Sequence, residues 1–133
     1  MFGKKSEAKS LGRIDSLIGV GTRIEGNVIF SGGLRVDGVV IGNVSAAEGA
    51  KSSTLVLSEH ATVEGAVNVA HLVMNGTIKG PVTVTDSLEL QSRARVIGDV
   101  IYTLIEMQQG AVIEGHLVHT VSPDKELKES SPD

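Results

Sequence analysis

The chain has no cysteine and no tryptophan, and Phe2, Phe30 and Tyr102 are its only phenylalanine and tyrosine residues. Without cysteine there are no disulfides, no thiolate metal sites and no cysteine nucleophiles. That composition suits a reducing cytoplasm. The scarcity of aromatics removes the stacking platforms that single-strand nucleic-acid binders use. Positive charge is not in excess either: the net charge is −4, which argues against nucleic acid as a partner. No apolar run approaches the roughly 20 residues of a membrane span. No secretory apolar segment follows the N-terminal lysines, so no signal peptide is expected. Proline is rare, with three residues, whereas glycine is plentiful at sixteen. Many turns and few long helices follow from that balance.

What remains is a chain of 133 residues, enough for one domain. Its hydrophobic content is 41%, so the core must be built from Val, Ile, Leu and Ala, as in thin β layers. Residues 1–13 carry Lys4, Lys5, Lys9 and Arg13 against one acid, Glu7, a net +3 counting side chains. Residues 121–133 are polar and charged and hold two of the three prolines. Such a tail buries too little apolar surface to order itself, and disorder is expected. The domain is expected between them, over residues 14–120.

Inside that span one pattern recurs six times. The corner glycines are Gly26, Gly42, Gly65, Gly80, Gly98 and Gly115. Two residues after each stands an apolar anchor: Val28, Val44, Val67, Val82, Val100 and Leu117. Two residues before stands Ile24, Val40, Val63, Ile78, Val96 or Ile113. Four before stands a small residue: Thr22, Gly38, Ala61, Gly76, Ala94 or Ala111. Eight before stands Ile18, Leu34, Leu57, Leu72, Leu90 or Met107. Apolar positions in steps of two are a strand signal. The anchors lie 16, 23, 15, 18 and 17 residues apart. The one long interval holds residues 45–54, expected to bulge as a loop. A period near 17 is too short for helical-hairpin repeats. It fits one coil of a β-solenoid, with three short strands and tight corners. The fold class is therefore all-β. Coils stacked at about 4.8 Å would pair backbone with backbone and ladder like residues inward. Gly76 is expected as a small position beneath the next coil's side chain, and Glu25, Glu64, Lys79 and Glu114 as residues facing water.

The six rows, the short polar tails and the opening residues Met-Phe-Gly-Lys-Lys together resemble the bactofilin family. The resemblance covers nearly the whole chain. It implies a right-handed parallel β-helix of about six windings with tails on both sides. It implies end-to-end assembly, without nucleotide, into non-polar filaments that act as cytoskeletal scaffolds. Client proteins of cell shape, polarity or the cell wall are the partners it implies, and self is the first of them. It also implies contact with the inner face of the cytoplasmic membrane through Met1, Phe2, Lys4 and Lys5. Family members often carry a phenylalanine in the last winding, at the polymer contact. The row from Met107 to Leu117 has none.

The residues themselves support two of these points. A solenoid has two open ends with unpaired backbone groups, and a monomeric one needs caps. Neither tail reads as a cap. The N-terminal end would present Ile18, Val20, Ile24 and Val28, and the C-terminal end Met107, Ile113, Leu117 and Val118. At the N-terminus, Phe2 suits the acyl boundary and the lysines suit anionic headgroups. A merely solvated start peptide fits the same residues, and the resemblance favours membrane contact.

The competing fold is a left-handed solenoid of hexapeptide repeats, a host of trimeric acyltransferases and zinc carbonic anhydrases. It wants 18 residues per coil, and one of the five intervals meets that. No catalytic, cofactor or metal site stands out. His60, His71, His116 and His119 occupy four different columns, which does not suit one zinc site. Glu25 and Glu64 share a column of solvent-facing residues. Gly32-Gly33 lacks the Gly-Lys-Ser/Thr of a phosphate loop. No enzyme activity and no cofactor are expected.

Overall fold

The computed structural model describes residues 14–50 and 52–121. The expectations for Met1, Phe2, Lys4, Lys5 and the C-terminal tail beyond Val121 lie outside the described residues. Among those described there is no helix, and every strand pairing is parallel. Sixteen strands wind into a β-solenoid of six coils.

Each coil has three faces. The first face stacks β1 (Ser16–Ile18), β4 (Gly32–Val36), β7 (Ser53–Leu57), the second half of β9 (Val67–Met74), the second half of β11 (Val82–Leu90), and β14 (Leu104–Met107). The second face is a separate six-stranded sheet. It comprises β2 (Arg23–Glu25), β5 (Val39–Ile41), β8 (Thr62–Glu64), β10 (Thr77–Lys79), β12 (Arg95–Ile97) and β15 (Val112–Glu114). The third face stacks β3 (Val28–Phe30), β6 (Val44–Ala46), the first halves of β9 and β11, β13 (Val100–Tyr102) and β16 (Leu117–His119).

Strand alternation sends every second side chain inward. The inner ladders are those read from the sequence: Ile24, Val40, Val63, Ile78, Val96 and Ile113 on the second face, and the anchors on the third. The middle of each ladder is fully buried, as at Val40, Val44, Val63, Ile78 and Val96. Glu25, Glu64, Lys79 and Glu114 are exposed as expected.

The corner between the second and third faces is two residues long in every coil. Gly26, Gly42, Gly65, Gly80 and Gly98 take φ between 140° and 156° there. The reason for glycine is chiefly proximity. A Cβ on Gly42 would collide with the carbonyl oxygen of Gly26 one coil below, and one on Gly98 would lie 2.5 Å from that of Gly80. Gly115 is not in the positive-φ set, yet a Cβ there would collide with the Gly98 carbonyl. Asparagine or aspartate follows several of these glycines and ties coil to coil. Asn27 Oδ1 accepts from Asn43 N–H, and Asn43 Oδ1 accepts from Ala66 N–H, each at 2.9 Å. Ala66 offers no such acceptor, and the residue above it is Pro81, which has no N–H to satisfy.

Three expectations are corrected. First, the column eight residues before the glycine is out of register in two rows. Ile18 pairs with Val36, Val36 with Leu57, Leu57 with Met74, Met74 with Leu90 and Leu90 with Met107. Leu34 and Leu72 belong to the neighbouring ladder, with Leu55 and Leu88. The cause is the corner between the first and second faces. It spans four residues in coils one, three, five and six, but two (Asp37-Gly38, Asn75-Gly76) in coils two and four. The long corners close with a turn bond such as Ala61 N–H to Ser58 O at 3.0 Å. Second, what requires a small residue at Gly76 is the backbone of the coil before it rather than a side chain of the next. A Cβ there would collide with the Ser58 carbonyl and lie 2.6 Å from that of Ala61. Third, the inserted loop is narrower than residues 45–54. Ser45 and Ala46 belong to β6, and Ser53 and Thr54 are buried in β7. Ser53 is tolerated inside because its Oγ accepts from Ala70 N–H at 3.0 Å.

Candidate polymer interface at the two open ends

Stacking leaves one inner layer without a neighbour at each end. At the C-terminal end the inward residues are Ile105 and Met107 of β14, Ile113 of β15, and Leu117 and His119 of β16. Met107 and Leu117 are 44% and 48% exposed, whereas their ladder partners Leu90 and Val100 are fully covered. Val118 is different. It pairs with Ile101, an exposed residue between buried Val100 and half-buried Tyr102, so it points sideways from the third face. His119 stacks on Tyr102, ring centroids 5.4 Å apart and tilted by 49°. Ile105, Met107, Ile113 and Leu117 thus make the apolar part of the last layer, which holds no phenylalanine.

The N-terminal end is better covered. Ile18 is only 8% exposed, Phe30 is buried, and Ile24 and Val28 are half-buried. Val20 projects from the Gly19–Thr22 corner and is 72% exposed. A Cβ on Gly26 would meet nothing within 4 Å, since no coil lies below it. Among the described strands, those at both ends are paired on one side only, an open template for another strand. Among the described residues no element covers either end.

Among the described residues the histidines do not gather into one site, although Arg35, Asp37, Glu59, His60 and Arg93 form a chain of surface contacts across coils two, three and five. His60 Nε2 lies 3.6 Å from Glu59, His71 Nε2 3.4 Å from Asp86, and His116 Nδ1 3.2 Å from Asp99, on separate coils. Hydrogen bonds from the His116 backbone and then its side chain hold the Asp99 carboxyl below the usual carboxylate range. Burial tends to raise Asp37, but hydrogen bonds with Ser58 and Arg35 outweigh it and hold that carboxyl low as well. These are surface ties between corners, with Glu59 shared by His60 and Arg93.

Parallel coils stacked into a solenoid, with apolar layers open at the ends, define a class of repeat protein suited to self-association. A comparison with protein-family models matches residues 16–118 to Bactofilin, described as polymer-forming cytoskeletal. The match takes in well over half of the chain, which belongs to the bactofilin family and is a polymer-forming cytoskeletal protein. Comparisons with curated proteins and with solved structures find no match.

Proposed function

We propose that this chain assembles end to end, without nucleotide, into non-polar filaments that lie on the inner face of the cytoplasmic membrane and position cell-shape or cell-wall proteins. The observation that carries the end-to-end step is the half-exposed inner layer of Met107 and Leu117 above a fully covered one. A second subunit packs its own end layer against this one and pairs with the open strand edges, the strands running in opposite directions where like ends meet, and it removes apolar surface from water. No nucleotide is needed, because the free energy comes from this burial and from strand pairing. Electron microscopy of the purified protein without nucleotide tests the step, and monomers alone at high concentration would refute it.

Membrane attachment rests on Phe2 with Lys4 and Lys5. Each lysine near an anionic surface contributes about 1 kcal/mol, which is weak for one subunit. A filament presents many copies, and avidity makes attachment firm. Removing residues 1–5 should abolish co-sedimentation with anionic vesicles while leaving filaments intact; equal pelleting of the truncated chain would rule the segment out. Clients are best sought by pull-down with and without residues 121–133.

A further inference from the structure

The three faces of the solenoid differ in charge. The outward residues of the second face include Arg23, Glu25, Glu64, Lys79, Arg95 and Glu114. Those of the first include Arg35, Glu89 and Glu106. The third face has one outward column, Ile29, Ser45, Asn68, Thr83, Ile101 and Val118, without a charge in any coil. Its large apolar members are in the first and the last two coils, with Ile29 70% exposed and Ile101 and Val118 also exposed. End-to-end stacking covers inward layers, so it leaves this column open along the whole filament. Carboxylates border it at Glu48, Asp86 and Asp99. Asp86 and Asp99 each face a histidine, His71 and His116.

The chain enters the solenoid beside this face. Asp15 N–H donates to Gly33 O at 2.8 Å, and Gly33 N–H donates to Asp15 Oδ2 at 3.0 Å. That fixes Ile14 and Asp15 at the corner where the third face meets the first, next to Phe30 and Gly32. Ile14, to which residues 1–13 with Phe2 and four cations are joined in sequence, therefore lies at the edge of the uncharged face.

We propose that the third face is the side of the filament that rests on an anionic lipid bilayer, with Ile29, Ile101 and Val118 at the headgroup boundary. The proposal rests on the membrane reading of residues 1–5 given above. Charges of either sign in the outward columns of the other two faces would have to give up water to lie at the headgroup–acyl boundary, and the carboxylates among them are also repelled by anionic headgroups. The third face has none in its column, and its serine, asparagine and threonine hydrogen-bond readily at an interface. The tail holds the filament down, and the face sets which way it lies.

The chain's lack of tryptophan gives a clean test. Full-length variants Thr83→Trp and Ile101→Trp place a reporter on the third face, and Thr62→Trp places one on the second. Each is mixed, as filaments, with phosphatidylglycerol-containing vesicles whose acyl chains are brominated. The expected result is a blue-shifted emission with loss of intensity for both third-face reporters, as for a ring at the headgroup–acyl boundary, and no change for Thr62→Trp. If vesicles pellet the filaments but the third-face reporters stay unquenched, the orientation is wrong and the tail reading stands. If vesicles pellet none of the chain, the tail reading falls and the orientation with it. A blue shift on assembly without vesicles would assign the face to a second copy of the chain and overturn the proposal.

Discussion

Replacing Leu117 with arginine separates a residue of the joint from a residue of the core. Leu117 is 48% exposed in the single chain, so about half of its burial is realised within the subunit. Full burial of a leucine contributes roughly 1.5–3 kcal/mol. The fold therefore loses about 0.7–1.5 kcal/mol, part of which the arginine stem recovers by lying along the apolar layer with its head in water. The joint loses the other half. Where like ends meet, two copies are lost, about 1.5–3 kcal/mol per joint. Each guanidinium would also have to leave water, at a cost of several kcal/mol more. Such joints alternate with N-terminal ones, so each subunit added bears half of that burial loss, and at about 1.4 kcal/mol per factor of ten the lost burial alone raises the critical concentration about three- to tenfold. Sedimentation across a concentration series measures it, with circular dichroism on the same samples. The expected outcome is a β-sheet spectrum of full amplitude and no pelleted polymer at concentrations where the parent chain pellets. Unchanged pelleting would remove the C-terminal layer from the joint, and a collapsed spectrum would make Leu117 a core residue.

Gly65→Ala should destabilise a single chain strongly, because the new Cβ would collide with the Gly42 carbonyl in a backbone conformation that costs of order 1–3 kcal/mol for other residues. Urea unfolding measures the loss; a change below about 0.5 kcal/mol would mean that the coils can part there freely. Asp99 sets an acid limit. Its carboxyl is held low in the folded chain by the His116 N–H and then the His116 side chain. The bond's contribution is therefore present above about pH 4, the unfolded value, and is lost as pH falls through the lower folded one. Asp99→Asn keeps an acceptor for the His116 N–H and removes the titration, so the melting temperature of that variant should fall less steeply below pH 4 than the parent's. Parallel slopes would place the acid sensitivity elsewhere, Asp37 being next to test.

The architecture could be read from the sequence wherever the chain turns the same way in every coil. Between the second and third faces the corner is always Gly plus one residue, so fixed offsets held from Thr22, Gly38 and Ala61 through to Phe30, Ala46 and Val69. Across the other corner the length switches between four residues and two. A fixed offset then slides by two, which keeps Leu34 and Leu72 inward but moves them to the wrong ladder. Period-two patterns do not reveal such a slip, since both ladders are apolar. The sideways direction of Val118 was available from its alternation with Leu117 and His119, but an apolar residue near an end reads naturally as part of that end. The uncharged column of the third face was also present, one residue after each anchor. Its mix of Ile, Ser, Asn and Thr reads as ordinary solvent-facing variation until register shows that all six share one surface. The greater cover over Ile18 than over Leu117 has no sequence signal, as both are apolar residues in outermost rows.

β9 and β11 differ from the other strands in running through a corner without a break, over eight and nine residues. Each ties the third face of one coil to the first face of the next, so coils three, four and five share continuous strands. Parallel coils are rich in non-local contacts and fold slowly, since loop closure precedes its reward. In a stack where each repeat leans only on its neighbours, folding starts where the coupling is strongest and spreads outward. Nucleation is then expected around β9 and β11, and the outer coils settle last. The sixth coil docks on the fifth by laying three short strands along an existing edge. A new subunit arriving at that edge covers the same open layer, its strands running the opposite way where like ends meet. Filament growth is in this sense the continuation of folding by another chain, and a subunit whose sixth coil has not yet settled cannot extend it.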